Sequence, residues 1–177
     1  MTFSERFAYR HLTSLDDDAS ALALVAPAIR LGVTWDPEAL RAVVGYAQGY
    51  PYAVQLWGDA VWRAAGSPDA DSVLTAHHVQ RGREAVDEDL QSLFRARWQA
   101  ASPQEQRMLS VMAELGGDGP VGRAEIAQRM ARSTDSLGPL RQRLLDKGLI
   151  ESSGERGQVR FSIPGFGTYI LDRTATN

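Results

Sequence analysis

Few residues in this chain have the types and spacing that support chemistry. The three histidines are His11 and the adjacent pair His77-His78. Neighbouring helical side chains point about 100° apart, so the pair cannot close on one ion, and no H-E-x-x-H spacing accompanies it. Neither metal binding nor histidine catalysis is expected. The acids gather at Asp16-Asp17-Asp18 and at Glu84, Asp87, Glu88 and Asp89, the latter behind Arg81 and Arg83. The first run suits a helix N-terminus and the second a solvated helix face. There is no cysteine, which excludes disulfides, thiolate metal sites and cysteine nucleophiles. Of the 19 basic residues only Lys147 is a lysine, and Gly148 follows it. A phosphate-binding loop needs G-x-x-x-x-G-K-[ST], because backbone N–H groups and the lysine cradle the phosphates together. The sequence contains no such segment, so no nucleotide hydrolysis and no enzyme activity are expected of this chain.

The remaining chemistry is that of binding. Residues 121–164 read in order as Val121, a helical stretch Arg123–Met130, and a polar break at Arg132-Ser133-Thr134. A second helical stretch ends at Asp146-Lys147-Gly148, and two β-type runs, Leu149–Ser152 and Val159–Ile163, flank Gly154-Glu155-Arg156-Gly157. Helix, turn, helix and hairpin is the plan of a winged helix-turn-helix, a module that binds DNA or protein. Leu137, Leu140, Leu144 and Gly148 form the inward stripe of its second helix, and Asp135, Pro139, Gln142, Arg143 and Asp146 lie opposite. Arg143 and Gln142 have the donors to read guanine and adenine edges. Arg129, Arg132, Arg156 and Arg160 are the candidates for phosphate contact, while Asp135 and Asp146 oppose it.

The overall net charge is −3, unevenly spread. Residues 1–119 carry 10 basic and 16 acidic side chains, and residues 120–177 carry 9 and 6. A locally basic segment is the footprint expected for a polyanionic partner.

Start and stop signals place the helices that must hold these residues. Asp16 opens a helix with Leu22, Val25, Ala26 and Ile29 at helical spacing. Asp36-Pro37-Glu38 opens a second, with Leu40, Val43, Val44 and Ala47 inward, and Gly49 stops it. Pro51 begins a third, whose stripe is Val54, Trp57, Gly58, Val61 and Trp62. Thr75 caps a fourth through Val79, Val86, Leu90 and Leu93. Ser102-Pro103-Gln104-Glu105 is a capping box with proline at the first helical position. Its helix carries Met108, Leu109, Met112 and Leu115, broken at Gly116-Gly117-Asp118-Gly119-Pro120. Phe166, Tyr169 and Ile170 recur at helical spacing and should pack back onto the core. The longest apolar run, Ala21–Ile29, contains Pro27 and is too short to span a bilayer. The start, Met1-Thr-Phe-Ser-Glu-Arg, lacks a secretory pattern, so a cytoplasmic location is expected.

At Gly49-Tyr50-Pro51-Tyr52-Ala53-Val54-Gln55 the chain resembles the helical lid of P-loop ATPases of the STAND and AAA+ groups. Pro27-Ala28, Gly32-Val33, Trp62, Phe94-Arg95-Ala96-Arg97-Trp98, Ser102-Pro103-Gln104-Glu105 and Lys147-Gly148-Leu149-Ile150 extend the likeness over nearly the whole chain. The resemblance implies a lid followed by a winged helix. It also implies that Gly49, Tyr50 and Pro51 lie against the base of a bound nucleotide; a helix stop followed by a helix start explains the same residues without a ligand. Two departures stand out. The phosphate-binding core is missing, and Tyr52 or Ala53 stands where many such lids carry a sensing arginine.

The expected fold is therefore mainly α: a helical lid bundle followed by a winged helix-turn-helix with a small β-hairpin. The expected segments are 1–15, left over from an ATPase core, 16–101, the lid bundle, and 102–177, the winged helix. The expected function is that of the regulatory, DNA-binding C-terminal part of an AAA+/STAND-type ATPase. A winged-helix protein-interaction module docking on a partner or on an ATPase core is the alternative. No cofactor is expected in the chain itself, with ATP bound only alongside a separate P-loop core, and no membrane partner is expected. An apolar patch around Phe3, Phe7 and Tyr50 would favour homo-oligomers.

Overall fold

Local signals set most of the helix starts. The Asp16 carboxylate accepts the Ala19 N–H at 2.7 Å and opens α1 (Asp17–Arg30). Asp36 accepts from Glu38 and Ala39 at the head of α2 (Pro37–Ala47), where Pro37 needs no donor. The left-handed pair Gln48 and Gly49 ends α2, and Pro51 begins α3 (Pro51–Ala64). Before α4 (Ala76–Gln99) the Thr75 N–H donates to His78 Nδ1 at 3.1 Å, so this histidine serves as a helix cap. The computed structural model describes residues 14–153 and 157–175. It is mainly helical, with eight α-helices and five short strands among the described residues.

The chain divides into two compact units, residues 1–83 and 84–177. The first packs α1, α2 and α3 around Leu24, Ala28, Val43, Ala47, Val54, Trp57 and Val61, all buried. It also holds a feature not foreseen from sequence: β1 (Thr34–Trp35) and β2 (Val73–Leu74) pair in parallel, Thr34 with Val73 and Trp35 with Leu74. Two-residue strands carry too little periodicity to be read from a window of residues.

The inward face of α1 also differs from expectation. Leu22 and Ile29 are 66% and 59% exposed, and Ser20, Leu24 and Ala28 point inward instead. The run Ala21–Ile29 is apolar on every side, so spacing alone cannot choose a face. Packing selects the narrow one, whose small residues allow close approach: a methyl added at Gly58 of α3 would stand 3.0 Å from Leu24 Cδ2.

The second unit contains the later part of α4 and α5 (Pro103–Gly116), β3 (Val121–Gly122), α6 (Arg123–Arg129) and α7 (Gly138–Asp146). The hairpin β4 (Ile150–Ser152) and β5 (Gln158–Phe161) and the helix α8 (Phe166–Ala175) complete it. The strands form one antiparallel sheet in the order β3-β5-β4, with Val121 opposite Val159 and Ile150 opposite Phe161. Leu137, Leu140 and Leu144 are buried as expected. Gly148 is exposed; it adopts φ +62° and ends α7, with Leu149 N–H returning to the Leu144 carbonyl. Pro139 sits in the first turn of α7, after a 3₁₀ turn at Asp135–Leu137.

The units part inside α4, between Arg83 and Glu84, and not at the expected 101/102. The reason is aromatic. Phe94 is buried where Leu90 and Leu93 were expected to lead, and its ring lies 5.6 Å from Phe166 and 5.5 Å from Tyr169. The end of α4 therefore belongs to the core of the second unit, along with Phe166 and Ile170.

Candidate nucleic-acid interface

The side chains nominated for DNA contact lie in the second unit, and most are already engaged. Glu105, the capping-box acid of α5, is 1% exposed. Its Oε2 accepts the Ser102 N–H at 2.7 Å and Lys147 Nζ at 2.7 Å, and its Oε1 meets Arg143 Nε at 3.3 Å. Lys147 also donates to the Ala100 carbonyl at 2.9 Å. Burial pushes the Glu105 carboxyl upward. The hydrogen bond from Lys147, those with the Ser102 backbone and hydroxyl, and the Lys147 charge outweigh it, and hold the carboxyl at about 2.

Arg143 is exposed, as its spacing suggested, but its guanidinium reaches back to Glu105 and ties α7 to α5. Lys147, which the sequence reading did not nominate for any contact, is the second half of the same clamp. No local pattern joins residues 105 and 147; the only sequence signal is the capping box itself.

Three of the other candidates are paired as well. Arg129 Nη2 lies 2.8 Å from Glu114 Oε2, and Arg160 lies 2.6 Å from Glu151 Oε1 across the hairpin. Gln142 Nε2 donates to Asp146 at 2.8 Å. Arg132 is exposed and makes no ion pair among the described residues. Arg156 lies outside the described residues. Two arginines that sequence reasoning did not single out, Arg123 and Arg141, line one crevice of this unit.

The charge balance also shifts once the unit is known. Residues 84–177 hold 12 basic and 13 acidic side chains, because Glu84, Asp87, Glu88 and Asp89 lie within the unit. The basic excess belongs to the segment after residue 119 and not to the unit as a whole.

In the first unit Gly49 has φ +71°, and a Cβ placed there would stand 2.2 Å from the Leu15 carbonyl oxygen, while Leu15 N–H donates to the Gly49 carbonyl at 2.8 Å. The space that a glycine opens is filled by the chain's own backbone. Tyr50 and Pro51 are half-buried. An open groove of about 410 Å³ lies between α1 and α3, walled by Leu24, Pro27, Leu31, Trp35, Val54 and Trp62. Among the described residues no group of three or more acids and histidines gathers as a metal site, and no helix is long and apolar enough to cross a membrane. Residues 1–13, with Phe3, Phe7 and His11, lie outside the described residues, and so does most of the expected 1–15 segment.

Residues 91–170 match a family model described as a domain of unknown function, DUF8462. No curated protein matches the chain. Among solved structures it is similar to the Thermotoga maritima RuvB Holliday junction branch migration motor, at 18% identity and a TM-score of 0.38 over 84% of this chain and 47% of that one. A mutant of RuvB from the same organism gives 18% identity and a TM-score of 0.39, over 85% and 47%. The chain spans about half the length of the solved chains it matches.

Proposed function

We propose that this chain is the non-hydrolytic C-terminal part of an AAA+/STAND-type ATPase, and that its second unit is a winged helix that binds duplex DNA. The observation that carries this reading is the order α5-β3-α6-α7-β4-β5 with a β3-β5-β4 sheet. That order places a hairpin beside the second helix of a helix-turn-helix. The basic segment after residue 119 supports a polyanionic partner, and the likeness of Gly49–Gln55 to an ATPase lid supports the assignment of the first unit. On this reading the chain works in the cytoplasm and hydrolyses no ATP. Any base contact falls to Tyr50 and Pro51, and it requires a phosphate-binding core on another polypeptide segment.

A second reading, docking on a protein, is favoured by two observations. Ion pairs already neutralise Arg129, Arg143 and Arg160, and the first unit exposes Leu22, Ile29 and Leu31. Electrophoretic titration of mixed-sequence duplexes at low salt separates the two. A shift at micromolar protein whose affinity falls steeply with salt supports DNA; no shift leaves the protein-docking reading.

A further inference from the structure

The arginines best placed to meet a polyanion are those that no acid already holds. Arg129, Arg143 and Arg160 face Glu114, Glu105 and Glu151. A cation paired in this way offers a phosphate a smaller net field, because the neighbouring carboxylate acts on the same phosphate with opposite sign. Arg123, Arg132 and Arg141 have no carboxylate partner among the described residues. Arg141 has only a hydroxyl: its Nη2 donates to Ser152 Oγ at 3.1 Å, and its Nε is buried without a hydrogen-bond partner.

The fold brings two of these together. Arg123 and Arg141 line a crevice of about 10 Å³ together with Met108, Ile126, Thr134, Leu137 and Gly138. That is room for about one water-sized oxygen, and far too little for a base or an apolar side chain. Both arginines stand where the hairpin approaches its turn. The Arg123 N–H donates to the Gly157 carbonyl at 3.0 Å, at the start of β5, and Arg141 holds Ser152 at the end of β4. Arg132 lies two residues before Thr134, on the same connection. The acids nearest in sequence are Glu125, whose carboxylate caps α6 by accepting the Gly122 N–H, Asp135, which is exposed beside Thr134, and Asp146, which accepts from Gln142.

We infer that Arg123 and Arg141 together take one backbone phosphate of duplex DNA at the turn end of the hairpin, with Arg132 beside them, and that Arg143 and Arg160 hold the fold instead of the ligand. This rests on the DNA reading of the second unit and assigns the residues that carry it. A crevice of that size admits one oxygen and no larger group, and arginine and hydroxyl donors suit the oxygen of a phosphate.

The test is fluorescence anisotropy of the full chain with a labelled mixed-sequence duplex, at several salt concentrations between about 50 and 200 mM, the range in which counterion release is resolved. R123Q and R141Q should each weaken binding about three- to tenfold, for all sequences alike, and flatten the salt slope by roughly one unit per lost contact. D135N should tighten binding. S152A removes the hydroxyl that holds Arg141 without removing charge, and R141K retains the charge. Both should bind within about threefold of the parent, and R141Q should melt at the parent's temperature, so that a loss confined to it is a loss of charge and not of fold. If R123Q and R141Q bind as the parent does while R160Q or R143Q loses affinity, the assignment is overturned and the DNA reading stands. If the parent chain binds no duplex at low salt, both fall; binding of poly-glutamate in place of DNA would then assign the crevice to an acidic protein.

Discussion

In the first unit Leu22, Ile29 and Leu31 of α1 and its end stand in solvent, with Tyr46, Tyr52 and Val73 also exposed. In the second, Leu115 is the one large apolar side chain left comparably open among the described residues. Its surface is marked by arginines, and its buried acid Glu105 ties α5 to α7. The contrast separates two ways of being stable. The first unit depends on close approach at glycines, with the Leu24 side chain of α1 against Gly58 of α3 and the Leu15 backbone against Gly49. The second depends on a few long-range polar contacts laid over a well-filled core. An exposed apolar face suits packing on another protein, whereas unpaired guanidinium groups suit an anion.

The largest expected effect tests the polar side of that contrast. Replacing Glu105 with Ala removes a buried carboxylate, the capping box and the partner of two cations at once. Both cations remain partly in solvent, so urea denaturation should show a loss of about 2–4 kcal/mol, from the cap and the charge-assisted hydrogen bonds. A loss below about 1 kcal/mol would mean that the clamp is no stronger than an exposed pair.

The same group sets a pH dependence. Its carboxyl is held at about 2 against an ordinary 4.5. The depressed folded value means that its contribution is complete above pH 4.5 and is lost as pH falls from there toward 2. The loss amounts to roughly 3 kcal/mol. Thermal melts of the parent and of Glu105→Gln should diverge above pH 4.5 and converge near pH 2. Parallel curves would place the acid sensitivity elsewhere.

Next in size are two glycine substitutions, one per unit. Gly49→Ala sets a Cβ 2.2 Å from the Leu15 carbonyl oxygen at φ +71°, and Gly167→Ala sets one 2.4 Å from that of Gly117. Each should cost about 1–3 kcal/mol, read as a lowered melting temperature. If Gly49→Ala were silent, the start of α1 would not need its contact with Gly49, and that backbone space would be open to a ligand.

The smallest effect on stability is expected for Leu22→Ser combined with Ile29→Ser. The two should change folding by less than about 1 kcal/mol, since both side chains are already in water. If this face makes homo-oligomers, analytical ultracentrifugation should show reduced self-association, and a cooperative loss of fold would show instead that the face is part of the core.

Helix starts were legible because a cap needs only neighbours: Asp16, Asp36 and Ser102 each satisfy donors within three residues. The leucine stripe of α7 was legible because polar residues stood on the other face. The face of α1 was not, because Ala21–Ile29 offers no polar side for contrast. Nor were the pairs Glu105–Lys147 and Arg129–Glu114, since ion pairing across 42 or 15 residues is set by tertiary packing. Arg143 and Arg160 were nominated as free cations for that reason, while Arg123 and Arg141, whose crevice exists only in the folded unit, were passed over.

The clamp also makes the chain report on itself. Lys147 is the sole lysine, and its amine is tied to Glu105 and to the Ala100 carbonyl. An amine-directed acylating reagent therefore has one side-chain target, which it attacks fastest when α7 swings free of α5. Acylation there would remove one of the two cations that hold Glu105, so each labelling event would also loosen the structure that had slowed it. The labelling rate becomes a clock for local opening, read at a single side chain by mass.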